Sequence, residues 1–254
     1  MTLYLIGLGL NDEKDISLRG LETVKRCKYI YFENYTSLLQ CSKETLEKLY
    51  GHKIIDADRE QVENKSKEIL AHAKEADTAL LVIGDPMAAT THISLFMEAK
   101  EKNIPVKVIH NASVISAVGV TGLQLYKFGK TTSIPFTSEE KDIETYYDVI
   151  KENLKNNMHT LVLLDLNPKE NQFMTVNRAI EVLSRAEAQK KEGILTEKTV
   201  IVGISRLGSD EQLIKPGTKD ELQKADFGKP PHCIVIPARK LHFMEEEALQ
   251  MWTK

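Results

Sequence analysis

The chain has few cysteines, and this scarcity excludes two kinds of structure. Cys27, Cys41 and Cys233 are odd in number and widely separated along the 254 residues. They fit neither a disulfide framework nor the spacing of a structural zinc site. We interpret them as ordinary thiols of a reducing compartment, so the predicted location is cytoplasmic.

Long hydrophobic runs and a strong excess of one charge are also missing. The apolar start of the chain ends at Asn11-Asp12, which is too short for a membrane span or a signal sequence. A formal net charge of -3 gives no electrostatic footprint for nucleic acid. We therefore expect neither direct nucleic-acid binding nor a membrane partner.

Several catalytic signatures are absent as well. The sequence contains no Walker A loop, no H-E-x-x-H, no nucleophile elbow and no cluster of cysteine and histidine. The sequence therefore shows no motif for hydrolysis, phosphoryl transfer or metal chemistry, and no metal site is predicted. A cofactor that brings its own reactive group fits this chain better.

Short apolar runs alternate with segments of helical period along the whole chain. This pattern is typical of an α/β fold, here with mainly parallel sheets. The predicted strands are Leu3–Ile6, Tyr29–Phe32, a weak one at Lys53–Asp56, Ala79–Ile83, Val106–Ile109, Thr131–Ile134, Thr160–Leu164, Thr199–Ile204 and Cys233–Ile236.

Two sets of apolar residues follow the helical spacing most clearly, and each gives a helix one apolar face. They are Ile143, Tyr146, Tyr147, Ile150 and Leu154, and then Val176, Ala179, Ile180 and Leu183. Between Asn111 and Gly129 the pattern loosens around three glycines. We place a boundary there, which predicts two α/β domains, 1–112 and 113–254, with a ligand cleft between them.

The first strand runs into Gly7-x-Gly9, which invites comparison with the dinucleotide fingerprint. Asp12 stands where the third glycine would be, and nearby acidic residues would repel a pyrophosphate. The two glycines therefore indicate either an ordinary turn or close approach of backbone to an uncharged or cationic ligand.

Gly84-Asp85-Pro86 follows another predicted strand, at the edge where open parallel sheets bind ligands. A carboxylate there suits a ribose hydroxyl or a positive group, and we expect Asp85 to be exposed to the ligand cleft. The alternative is that Asp85 only shapes the turn. The segment "HNASVISAVGVTG", which starts at His110, repeats the arrangement, and its small residues suit either a flat ligand or close helix packing.

Two further polar residues stand at ends of predicted strands. Asp165 follows the strand that ends at Leu164, and His232 precedes the last strand. A single histidine in such a place is more often structural than ligand-binding.

Seven stretches of the sequence together resemble one family. They are "LYLIGLGL", "DISLRGLE", "YFENYTS", "GDPMAATTH", "SAVGVTGLQLYKFGKTTSIPF", "LLDLNPKEN" and "PPHCIVIP". From Leu3 to about the final strand, the chain resembles the diphthine synthases of the tetrapyrrole-methylase superfamily. The Gly-x-Gly and Gly-Asp-Pro elements mark the superfamily, and the "FENYTS" and "GLQLYKFGKTTSIPF" stretches mark this branch.

The resemblance implies a homodimeric methyltransferase that uses S-adenosylmethionine, leaves S-adenosylhomocysteine, and holds the cofactor between two α/β domains. The implied substrate is elongation factor 2, whose histidine carries an aminocarboxypropyl group that is methylated on its amine in diphthamide biosynthesis. Archaeal members stop at the trimethylated amine, whereas eukaryotic members also esterify the carboxylate. The compact length favours the archaeal type.

The resemblance also implies which residues contact the cofactor, mainly through backbone atoms. They are Leu10, Asp85, Ala88, Ser113, Val114, Leu164, Leu207 and His232. No catalytic residue is assigned, and Glu33 and Tyr35 of "FENYTS" are the polar candidates for a base, with loop structure as the favoured alternative.

Two other kinds of function stay open. The first is another methylase of the superfamily, acting on precorrins or ribosomal RNA, although the small net charge does not suggest it. The second is a non-catalytic module that binds S-adenosylmethionine.

Overall fold

The computed structural model describes residues 1–63, 65–136 and 145–253. These residues form two compact units, Met1–Ile115 and Ser116–Lys254. The sequence-based boundary after residue 112 stays a prediction, because compactness alone does not show that either unit folds by itself.

The first unit alternates strands and helices. Its strands are β1 (Leu3–Gly7), β2 (Tyr29–Glu33), β3 (Ile55–Ala57), β4 (Thr78–Val82) and β5 (Val106–Ile109). Its helices are α1 (Leu18–Arg26), α2 (Lys43–Tyr50), α3 (Arg59–Glu63), α4 (Lys67–Glu75) and α5 (Ile93–Glu101), and α6 (Val114–Ala117) continues into the second unit.

The five strands form one parallel sheet in the order β3-β2-β4-β1-β5. Every residue of β1 and β4 is buried, as expected for central parallel strands that helices cover on both faces. Side chains of β1 alternate between two cores, with Tyr4 and Ile6 in one and Leu3 and Leu5 in the other. The carboxyl ends of β4, β1 and β5 are therefore neighbours at one sheet edge.

The second unit carries more varied elements. Its strands are β6 (Thr132–Ile134), β7 (Thr160–Leu164), β8 (Leu166–Asn167), β9 (Gln172–Phe173), β10 (Ile201–Ser205), β11 (Leu213–Gly217) and β12 (His232–Ile236). Its helices are α7 (Thr145–Lys155), α8 (Val176–Lys190), α9 (Lys219–Gln223) and α10 (Phe243–Met251), with 3₁₀ turns at Val118–Thr121, Leu125–Lys127 and Pro168–Glu170.

The predicted α/β class with mainly parallel strands is confirmed, and the second sheet is mixed. Its order is β11-β10-β12-β7-β6, and only β6 and β7 pair in parallel. The physical reason is clearest between β10 and β11, which a short loop joins. A parallel pair needs a crossover of about a dozen residues or more, so this connection can make only a hairpin.

The structure also contains β11, which the sequence patterns did not indicate. Its sequence, LIKPG, holds a lysine, a proline and a glycine, which are typical of turns. Pro216 is tolerated because β11 is the edge strand, where a missing N–H leaves no ladder partner unsatisfied.

Both predicted amphipathic helices are confirmed in the described residues. In α7, Tyr146, Tyr147, Ile150 and Leu154 join the core of the second unit, and in α8, Val176, Ala179, Ile180 and Leu183 do so. Ile143 lies outside the described residues. In the same part of the chain, no helix has both the length and the apolar character needed to cross a membrane.

Candidate functional site

The loops that follow β1, β4 and β5 bring five of the predicted cofactor residues to one edge of the first sheet. Leu10 follows β1, and Asp85 and Ala88 lie in the turn after β4. Ser113 and Val114 follow β5. These positions meet because the three strands are parallel neighbours.

Two glycines join the first two loops through backbone hydrogen bonds. The Gly84 N–H donates to the Gly9 carbonyl at 2.7 Å, and the Gly9 N–H donates to the Gly84 carbonyl at 3.3 Å. Both glycines have φ near +80°, which residues with a Cβ adopt rarely. A Cβ at Gly7 would lie 2.6 Å from the Gly84 carbonyl oxygen. The Gly-x-Gly element therefore allows two loops to pack in direct backbone contact.

Asp15 holds the first of these loops. Its carboxylate accepts the N–H groups of Leu10 at 3.0 Å and Asn11 at 2.8 Å. Asp15 is one of the acidic residues that would repel a pyrophosphate. It also fixes the loop backbone at Leu10, which is a predicted cofactor contact.

Asn111 ties the ends of β1 and β5 to the same loop. Its side-chain Nδ2 donates to the carbonyl oxygens of Gly7 at 3.0 Å and Asp15 at 2.9 Å. Its Oδ1 accepts the Ala112 N–H at 2.7 Å. One amide side chain therefore connects three segments of the candidate site.

Asp85 is buried, which corrects the expectation that its carboxylate is exposed. Oδ1 accepts the Met87 N–H at 2.8 Å, and Oδ2 accepts the Asn111 N–H at 3.0 Å and the His110 Nδ1–H at 2.8 Å. Burial works against ionisation, but these donors outweigh it and hold the pKa of Asp85 below its ordinary value. Asp85 is thus an ionised carboxylate that shapes its turn and reaches the next loop.

The His110 side chain stands in a different environment from its partner. It is 69% exposed, whereas the Asp85 side chain is largely covered. An ionised carboxylate only accepts, so Nδ1 of His110 carries the hydrogen that it shares with Asp85. In the neutral ring the lone pair is then on Nε2, which has no hydrogen-bond partner in the described residues.

The carbonyl of Pro86 fixes the other side of the same turn. It accepts from Thr90 Oγ1 at 3.0 Å and lies 3.2 Å from Nδ1 of His92, which is fully buried. Nε2 of His92 lies 3.9 Å from the Glu33 carboxylate and has no hydrogen-bond partner among the described residues. The Gly-Asp-Pro turn is therefore clamped at both Asp85 and Pro86.

Glu33 and Tyr35, the two polar candidates for a base, occupy the loop after β2. The buried Glu33 carboxylate accepts the N–H groups of Tyr35 at 2.9 Å and Thr36 at 2.7 Å, and the Thr36 hydroxyl at 2.7 Å. Burial, with the charge of Glu33, raises the pKa of Tyr35. These contacts give Glu33 a role in holding its own loop.

The other three predicted residues gather at one edge of the second sheet. Leu164 ends β7, and His232 begins β12, which runs antiparallel to it. Leu207 follows β10, whose last residue, Ser205, pairs with His232. The residues are far apart in sequence and meet because β12 pairs with both β7 and β10.

Two buried polar atoms at this edge lack hydrogen-bond partners in the described part of the chain: Nδ1 of His232 and Oγ of Ser205. His232 uses Nε2 for the Lys229 carbonyl at 3.1 Å, and burial lowers the pKa of its ring. Directly paired residues of antiparallel strands point to the same face of a sheet. An unsatisfied buried polar atom costs about 1–3 kcal/mol, so this pair suits a bound polar ligand that would satisfy both atoms.

Sequence reasoning missed His110 and Asn111 as side chains of the site. His110 and Asn111 come directly after β5, and Asp85 is the third residue after β4. The signal was the run of polar residues at the end of a strand, but the contacts depend on which strands are neighbours.

Comparison with known proteins identifies a family to which almost the whole chain is similar. Residues 2–223 match the model of the tetrapyrrole (corrin/porphyrin) methylases. A diphthine methyl ester synthase of Schizosaccharomyces pombe is 47% identical over 98% of this chain and 93% of its own length. That of Homo sapiens is 44% identical over 99% and 95%.

A solved structure agrees with these sequences. A crystal structure of a diphthine synthase superimposes with a TM-score of 0.91 at 40% identity, covering 100% of this chain and 96% of the other. The chain is a methyltransferase that belongs to the tetrapyrrole methylase family and, within it, to the diphthine synthases.

Proposed function

We propose that this enzyme transfers methyl groups from S-adenosylmethionine to the aminocarboxypropyl-modified histidine of elongation factor 2. The observation that carries the proposal is similarity to diphthine methyl ester synthases along almost the full length of both partners. A shared fold alone would support only the superfamily.

The first unit offers features that suit this cofactor. S-adenosylmethionine has no phosphate, and its sulfonium supplies an electrophilic methyl group when bound. Leu10, Ala88, Ser113 and Val114 are small or aliphatic residues at one sheet edge, so they would contact it mainly through backbone atoms. The carboxylate of Asp85 already accepts three hydrogen bonds, so we assign its contact to the backbone as well.

The second unit would contribute Leu164, Leu207 and His232. The unpaired Nδ1 of His232 and hydroxyl of Ser205 are buried polar atoms that a nucleoside could satisfy. We therefore add Ser205 to the proposed cofactor residues. His232→Leu should weaken cofactor binding in calorimetry, whereas replacement of the exposed His52 should not.

The relatives also change the expected product. The compact chain suggested a type that stops at the trimethylated amine. The S. pombe methyl ester synthase, however, is matched over 93% of its length, so compactness does not separate the two types. We propose trimethylation of the amine followed by esterification of the carboxylate.

The remaining proposals follow from the same family membership. They are a homodimer, a cytoplasmic location and elongation factor 2 as the protein substrate. Size-exclusion chromatography with light scattering tests the dimer, since a monomer mass would contradict it.

The function is tested by intact mass spectrometry of elongation factor 2 that bears the aminocarboxypropyl histidine. Incubation with this protein and S-adenosylmethionine should add whole methyl increments, and their number separates trimethylation from the ester. A substrate whose modified histidine is replaced by alanine is the control. Cofactor binding without any mass increment would contradict the proposal and favour a methylase for another substrate or a non-catalytic binding module.

A further inference from the structure

We propose that His110 is the general base for methylation of the substrate amine and that Asp85 is the residue that positions it. This inference rests on the proposed function and goes beyond it, because neither the sequence patterns nor the similarity to other proteins assigns a base. The observation behind it is the contact between a buried carboxylate and an exposed imidazole, 2.8 Å apart, among the predicted cofactor residues.

The arrangement of the pair is that of an oriented base. Asp85 is fixed by the N–H groups of Met87 and Asn111, so its carboxylate does not follow the motion of the histidine. It accepts the Nδ1 hydrogen of His110 and thereby selects the tautomer with a lone pair on Nε2. That nitrogen is available, because the His110 side chain is mostly exposed.

The reaction requires a proton acceptor at three of its four steps. A primary amine is an ammonium ion near neutral pH, and it has no lone pair until a proton leaves. That proton passes from the substrate nitrogen to Nε2 of His110 and then to solvent. As the new nitrogen–carbon bond forms, the carbon–sulfur bond breaks and its electron pair stays on sulfur. Each methyl group added to the amine therefore releases one proton, up to the quaternary product.

Esterification differs in this respect. The substrate carboxylate is already ionised near neutral pH, so its oxygen attacks without losing a proton. A base should therefore matter for the three transfers to nitrogen and not for the transfer to oxygen. This difference separates a base from a residue that only shapes the site.

Other titratable side chains near the Gly-Asp-Pro turn are less suited among the described residues. The Glu33 carboxylate is buried and already accepts three hydrogen bonds from its own loop. His92 is fully buried, and its Nδ1 contacts the Pro86 carbonyl. His110 alone among these groups combines an ionised partner with exposure.

The test compares two substrates in single-turnover mass spectrometry, with His110→Gln and His110→Ala as variants. One substrate carries the unmethylated aminocarboxypropyl group, and the other carries the trimethylated amine with a free carboxylate. Loss of a general base slows a proton-transfer step by about 10²- to 10⁴-fold, so amine methylation should fall by that range. Ester formation and calorimetric affinity for S-adenosylmethionine should stay at the wild-type level. His52→Gln, which changes an exposed histidine shortly after α2, is the matched control.

Two results would overturn the assignment. Unchanged amine methylation in both variants would remove His110 as the base, and equal slowing of both reactions would show a structural role. Failure of the wild-type enzyme to methylate either substrate would instead contradict the proposed function, so the two failures are distinguishable.

A second measurement needs no turnover. Diethyl pyrocarbonate modifies the unprotonated nitrogen of exposed imidazoles, and peptide mapping reports the rate at each histidine. Asp85→Asn can donate its amide to Nδ1 and shift the hydrogen to Nε2. His110 should then react more slowly than in the wild type, with His52 unchanged. Equal rates at His110 in both proteins would contradict the positioning role of Asp85.

Discussion

Each unit of the chain contains a histidine and a carboxylate in contact, and the two pairs have the same separation of 2.8 Å. In the first unit His110 meets Asp85, and in the second unit His159 meets Glu245. The difference is in the environment: His110 is mostly exposed, whereas both side chains of the second pair are fully buried.

Both ring nitrogens of the buried His159 are occupied by hydrogen bonds. Nδ1 of His159 accepts the Ala238 N–H at 2.9 Å, so the ring hydrogen is on Nε2 and points to Glu245. Glu245 also accepts the Lys127 ammonium at 2.7 Å and the N–H groups of Gln124 and His242. These contacts anchor α10 to the rest of the second unit.

The comparison shows that the length of a histidine–carboxylate contact does not indicate its role. The two pairs differ in the environment of the second ring nitrogen. Where that nitrogen accepts a backbone N–H, the pair is structural. Where it is exposed and unpaired, as in His110, the same contact leaves a lone pair available, which the proposed base requires.

The largest expected effect is on the buried pair. Glu245→Ala leaves the buried His159 and the Lys127 ammonium without their carboxylate, and breaking a buried ion pair in this way costs about 3–5 kcal/mol. The free energy of unfolding, followed by fluorescence of Trp252 at the end of α10, should fall by this amount. Glu247→Ala, on the exposed face of the same helix, is the control. Equal stability of the two variants would show that the cluster does not anchor α10.

A smaller loss is expected for Asp85→Ala. The Met87 and Asn111 N–H groups lose their acceptor, and each unsatisfied group costs about 1–3 kcal/mol unless water reaches it. The free energy of unfolding of the first unit, followed by hydrogen exchange of β1 and β4, should fall. Asp148→Ala, at an exposed position of α7, serves as a surface control. Unaltered exchange would show that the contacts of Asp85 do not stabilise the first unit.

The pairs should also differ in pH dependence. Burial lowers the pKa of His159 below its ordinary 6.5, so the unfolded chain binds this proton first as pH falls. Stability of the second unit should decline below pH 6.5. Stability should decline again below pH 4.5. Burial raises the pKa of Glu245, but its hydrogen bonds lower the pKa by more and hold it at about 2. The pKa of Asp85 is lowered as well, so its contribution is lost only below its ordinary 3.8.

The measurement is denaturant unfolding between pH 7 and about 3, followed by Trp252. Burial also lowers the pKa of His232, which adds a decline in the same direction. The contribution of His159 is therefore the difference between the wild type and His159→Gln. Parallel pH curves for the two proteins would contradict a buried neutral His159.

The smallest effect on stability is expected for His110→Ala. A contact made by a mostly exposed side chain contributes about 0–1 kcal/mol, and Asp85 keeps its two backbone donors in this variant. The midpoint of thermal unfolding should therefore stay close to that of the wild type. A loss as large as that of Glu245→Ala would show that the two pairs are alike.

The sequence was sufficient for features that depend on local pattern. Alternating strands and helices predicted the parallel sheet of the first unit and, with it, the edge where Leu10, Asp85 and Ser113 lie. The sequence was not sufficient for features that depend on which strands pair in the tertiary structure. The contact of Asp85 with His110 requires the neighbouring order of β4, β1 and β5, and the antiparallel pairs of the second sheet depend on which strands meet. β11 was missed because Pro216 and Gly217 read as a turn.

The most direct test of the contrast is one long-range ¹H–¹⁵N spectrum of the histidine rings in the ligand-free enzyme near neutral pH. His110→Gln and His159→Gln assign the two signals. The structure predicts opposite neutral tautomers, with the hydrogen of His159 on Nε2 and that of His110 on Nδ1. A spectrum with the hydrogen of His110 on Nε2 would contradict the account, because the nitrogen proposed to receive the substrate proton would already carry one.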